Sequence, residues 1–217
     1  MSIIRSTTPP AKASLAVARA LQVFLQPDLK PQDERYVGPQ PSLPDAASLG
    51  LDLTSIDVAT VEQHGPLGVY TLHLNDLSGG GIRAAVPTGW GFLVGDPKQG
   101  IILCTVAQQP VTGAWRLTSA YYGEHANNVF TAKDKLKSLA QTQTRSYELR
   151  ILVIPAIHVE AFWLFDRSPS ATDLVAVYVD GQRYVVPAGN PPSAATFLCS
   201  VEPRLQLAAA SARRHGT

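Results

Sequence analysis

Apolar positions recur at helical spacing near the start of the chain. Across residues 11–26, Leu15, Ala18, Leu21, Phe24 and Leu25 fall on one face of a 3.6-residue period. That spacing predicts an amphipathic helix, with Thr8 as its N-cap and a proline in the first turn. Five prolines follow between positions 27 and 44, so neither a helix nor a central strand can run through this stretch, and an extended connector is expected.

From Ile56 the period shortens to that of strands. Residues 56–61 and 69–74 predict a hairpin, and 82–86, 90–94, 101–106 and 114–122 continue it as a meander broken by Gly- and Pro-containing turns. Residues 127–142 return to helical spacing and predict a second helix covering the sheet, with Lys133, Lys135 and Lys137 mostly on its outer face. Residues 147–165 are dense in β-branched and aromatic side chains and are interrupted only by Pro155, which predicts two collinear or bent strands. Asp180-Gly181 lies between two further strand-like runs, 173–179 and 182–186, and marks a type I′ hairpin turn. Residues 197–201 suit an edge strand, and 204–214 a short Ala-rich helix.

Strands at such short spacing pair antiparallel, because parallel neighbours need a crossover between them. The expected class is therefore α+β: a mostly antiparallel, curved sheet of about eight to ten strands with a covering helix, and an N-terminal amphipathic helix on a Pro-rich arm. The expected divisions are 1–45 for helix and connector, 46–203 for the α+β core, and 204–217 for a basic tail.

Composition narrows the partners. Hydrophobic residues form 45% of the 217 and charged residues 16%, which excludes whole-chain disorder. Eighteen basic side chains against 17 acidic ones leave no net field to attract a polyanion, so nucleic acid is not an expected partner. The most apolar run, 151–165, holds 15 residues, short of the ~20 that a membrane span requires. No membrane association is expected, and the absence of an apolar leader in residues 1–10 points to a cytoplasmic protein. Cys104 and Cys199 both sit among apolar neighbours and are expected to be reduced and buried.

Candidate chemistry is sparse. His158-Val159-Glu160 has the H-x-E spacing of zinc deaminases but lacks their downstream P-C-x-x-C. On a strand, His158 and Glu160 would share one face and could line the wall of a pocket, with Glu124 and His125 as a second polar pair at a strand-to-helix junction. The glycines at 79–81 precede a strand-like run rather than a helix, which suits a hairpin loop better than a phosphate cradle. His64 and His73 lack further ligands, so neither metal nor cofactor is expected. Without a complete catalytic motif, the favoured function is a non-catalytic interaction or assembly protein that self-associates or holds a protein partner. Its contacts would use Leu15, Leu21, Phe24 and Leu25 of the first helix. The alternative is a small-molecule enzyme or ligand-binding protein with a pocket between the curved sheet and the 127–142 helix. A related expectation is that exposed strand edges are covered only in an assembly.

Overall fold

The computed structural model describes residues 4–5, 8–25, 51, 56–76, 81–140, 146–168, 172–185 and 190–215. Its strands are β1 (Ile4–Arg5), β2 (Leu67–Thr71), β3 (Val86–Asp96), β4 (Gly100–Gln108), β5 (Trp115–Tyr122), β6 (Tyr147–Ile154), β7 (Val159–Asp166), β8 (Leu174–Asp180) and β9 (Arg183–Tyr184). Its helices are α1 (Ala11–Phe24), α2 (Val58–Glu62), α3 (Glu124–Ala140) and α4 (Ala194–His215). The fold is α+β with mostly antiparallel strands. The chain forms two compact units, one from 8–66 and 90–130, the other from 1–7, 67–89 and 131–217, and it passes between them within β3 and within α3. The proline-rich connector lies outside the described residues.

In the first unit β3, β4 and β5 form an antiparallel meander, with Phe92 opposite Cys104 and Cys104 opposite Ala120. One face of the meander is closed by α1. Ala13, Val17, Ala18, Leu21 and Leu25 pack with Phe92, Val94, Ile102, Cys104 and Val106 in one buried cluster. Three of these positions are alanine or valine, small enough to let the helix axis come close to the sheet. Pro10 stands at the N-cap, where its carbonyl accepts from Ala13 N at 2.8 Å; the expected Thr8 cap does not form. The strand expected at 56–61 is helical instead, because Asp57 Oδ1 accepts from Thr60 N at 2.8 Å and from Thr60 Oγ1 at 3.0 Å, capping α2. A carboxylate three residues ahead of its donor outweighs a weak alternation. Glu62 at the end of α2 accepts from the buried hydroxyl of Ser14, tying α2 to α1.

In the second unit β6 is central. It runs parallel to β1 and β2 and antiparallel to β7, which continues to β8 and β9. Leu152, Ile154, Ala161, Trp163 and Val175 line a face buried with Phe197, Val201 and Leu205 of α4. Residues 197–201 are thus the second turn of a 22-residue helix, not an edge strand, and 204–214 continue it. Ser193 Oγ accepts from Thr196 N at the start of α4, and the apolar i, i+4, i+8 row holds the helix together through Pro203.

Pro155 ends β6 rather than bending it. Pro155–Ile157 form a 3₁₀ turn and the chain reverses, placing Ile154 opposite Val159, so β6 and β7 are an antiparallel pair instead of collinear strands. Residues 81–84 form a second 3₁₀ turn where a strand beginning at Ile82 is expected. The hairpin at Gly181 is displaced by one residue from the expected position. Asp180 pairs with Arg183, leaving Gly181 and Gln182 as the loop, and only Gly181 has positive φ, at 65°. Glycine with positive φ at the first loop position follows the type II′ pattern, not I′.

Candidate functional site

The four polar candidates lie on a turn, a strand and a helix. His158 lies outside β7, as an exposed residue capping the 3₁₀ turn in the left-handed region at φ 51°, so it does not share a strand face with Glu160. Its carbonyl accepts from Gly181 N at 2.8 Å and its own N–H donates to Pro155 O at 3.1 Å, which gives this backbone a turn-forming role. Glu160 is half-buried in β7 between Val153 and Val179. Glu124 and His125 follow β5 at the strand-to-helix junction, in the first turn of α3, and the His125 ring lies 4.5 Å from the ring of Tyr121. Among the described residues no three His, Cys, Asp or Glu side chains are placed to hold a metal ion. No helix among them is long and apolar enough to cross a membrane.

The first-helix candidates separate. Leu21 and Leu25 are buried in the first unit at 1% and 3% exposure, whereas Leu15 is 41% exposed. The Phe24 side chain lies outside the described residues. The buried stripe runs through Ala13, Val17 and Leu21 and leaves Leu15 and Val23 on the opposite side of the helix.

Two other features are better formed. The first is β5, an eight-residue strand that pairs with β4 along one edge and with no strand along the other among the described residues. A bulge interrupts its pairing: Leu117 opposes Val106 and Ser119 opposes Thr105, leaving Thr118 as the extra residue. Thr118 and Ser119 both hydrogen-bond the Thr105 hydroxyl, so both point to one face. Trp115, Leu117 and Ala120 turn to the other face, against the α1 cluster, and Tyr122 joins them by its register with Ile102. Tyr121 and Tyr122 are 44% and 37% exposed, large apolar surfaces for the end of an edge strand.

The second is a caged arginine in the other unit. Neighbouring registers place Arg150 opposite Trp163 and Glu148 opposite Phe165. The Arg150 guanidinium lies 3.7 Å from the Phe165 centroid, 4.3 Å from that of Tyr70 and 4.8 Å from that of Trp163. Its Nε donates to Glu148 Oε1 at 2.7 Å, and Arg167 donates to Glu148 Oε2 through Nε at 3.0 Å. Burial alone would raise the Glu148 pKa. The two guanidinium hydrogen bonds outweigh it, and the carboxyl is held below its ordinary range. Arg83 stacks 4.8 Å over the same Phe165 ring and donates to both oxygens of Asp173 and to Asp166 O, an arrangement that raises its pKa chiefly through the Asp173 bond.

The sequence signal for this cluster was charge alternation within β6. Glu148 and Arg150 alternate with Leu149 and Ile151, and such a pattern reads equally well as a solvated strand face. What distinguishes it is the pair of aromatics at the same register on β7, visible only once strand pairing is known. No family model, no curated protein and no solved structure matches this chain.

Proposed function

We propose that this protein is a non-catalytic assembly protein that self-associates by pairing β5 with β5 of a second copy. The edge of β5 that no strand covers among the described residues carries this reading, since an unpaired row of backbone N–H and C=O groups is a template for a further strand. The occupant follows from self-complementarity. An antiparallel pair related by a two-fold axis between Thr118 and Ser119 sets Trp115 opposite Tyr122, Arg116 opposite Tyr121 and Leu117 opposite Ala120. The bulge makes the members of each of these three pairs share a face, which a regular strand in this register would not. Each pair is favourable: two aromatics, a cation over a phenol ring, and two apolar side chains. No like charges meet.

Thr118→Lys tests this arrangement. Two lysines would stand diagonally across the axis on one face, each opposite Ser119 of the other copy, while within one chain the change removes only the exposed hydroxyl bonds to Thr105, worth about 1 kcal/mol. Light scattering is expected to give the parent twice the 23.2 kDa chain mass and the variant the single mass, with equal circular dichroism. A parent that stays monomeric at high micromolar concentration, or a variant with the parent's mass, overturns it.

A further inference from the structure

We propose that Arg150 is the anion-binding residue of a small-ligand site, taking a carboxylate or phosphate oxyanion on its Nη nitrogens. Arginine offers five N–H donors in a planar fork. Here Nε is committed to Glu148, while Nη1 and Nη2 meet no protein acceptor among the described residues. The side chain is only 12% exposed, and three aromatic rings close around it, surfaces that attract a cation but offer no lone pair to its N–H groups. The remaining exposure leaves these two nitrogens open to an incoming anion.

Arg83 provides the internal contrast. It stacks on the same Phe165 ring, but Asp173 takes two of its bonds and Asp166 O a third, as befits a structural arginine. Arg150 and Arg167 share the single carboxylate of Glu148, two guanidinium groups on one acceptor. Glu148 is a positioning residue: by fixing the Nε edge, and with the rings fixing the plane, it presents the Nη edge in one orientation. That edge matches an oxyanion that accepts two parallel hydrogen bonds. Arg167, 69% exposed, supplies a second cation at the rim. All these residues belong to the 67–89 and 131–217 segments, so the site is independent of β5.

The test is a nuclear magnetic resonance titration of the full chain with inorganic phosphate and, separately, acetate, at constant ionic strength balanced with chloride. The Arg150 Nη and Trp163 indole resonances report. Saturable shifts with phosphate alone assign a phosphate ester, with acetate alone a carboxylate, and with both the shared oxyanion chemistry. Arg150→Lys keeps the charge and loses the fork, and binding is expected to weaken about tenfold. Wild-type resonances that do not saturate with either anion overturn the proposal without recourse to a variant. So does undiminished binding by a folded Arg150→Lys protein.

Discussion

At the scale of single residues, similar sequence settings lead to opposite environments. Cys104 and Cys199 both follow aliphatic neighbours, yet Cys104 is 0% exposed on β4 and Cys199 is exposed on α4. Alternation on a strand and rotation on a helix send equivalent positions to different faces. One thiol should therefore react with an aromatic disulfide reagent in the native state and the second only on unfolding; two rapid equivalents from the folded protein would contradict the burial of Cys104. Lys133 departs from its expected outward position in the same way. It lies among Ala126, Val129, Ala132 and Leu136 on the buried face of α3, and desolvation, aided by Lys137, lowers its pKa to about 7. Between that value and the ordinary lysine pKa the unfolded chain binds more protons than the folded one, so stability rises with pH. From pH 7 to 8.5 the gain is about 2 kcal/mol at most; above that the Cys104 thiol, pushed up by burial to about 12, contributes with the opposite sign. Denaturant midpoints should climb across this window in the parent and stay level in Lys133→Met. A level parent would show the ammonium to be solvated.

At the scale of elements, hairpin turns are decided by one residue's backbone. Gly181 has φ 65°, and a Cβ there would meet nothing within 4 Å, so Gly181→Val would cost only backbone strain, about 1–2 kcal/mol. Chemical denaturation should show that loss, and an unchanged midpoint would place positive φ elsewhere in the turn. α1 and the strands β4, β5 and β8 were legible because their periods are long enough to repeat and their turns carry Gly or Pro, whereas the turn expected at Pro87-Thr88-Gly89 lies inside the single strand β3. The stretches at 56–61 and 197–201 were not. Each is a short apolar run compatible with either period, and what decides it lies outside the run: Asp57 bonding Thr60 in one case, and in the other the continuation to Leu205 across Pro203. Pro203 costs α4 a hydrogen bond, and the burial of Phe197, Val201 and Leu205 offsets that loss.

At the scale of the whole molecule, neither the β5 edge nor the Arg150 cage could be read along the chain. An edge is a property of strand order, and the cage joins Tyr70, Arg150 and Trp163, which only the β2–β6–β7 pairing brings together. The N-terminal helix, expected to supply the interface, instead gives Leu21 and Leu25 to the core of its own unit, so the proposed contact shifts to the strand beneath it. Self-association has a thermodynamic signature that a monomer lacks. When two folded chains bind and unfolded chains do not, mass action stabilises the fold as concentration rises, by about 1.4 kcal/mol per dimer for each tenfold step. Shared between two chains of this length, that corresponds to a melting-temperature increase of roughly 1–3 °C per decade of concentration. The parent should show this increase over two decades, and Thr118→Lys should melt at one temperature throughout. A parent whose melting point ignores concentration would remove the β5 pairing, whatever mass the scattering gives at a single concentration, because an association that does not protect the fold is not selective for it.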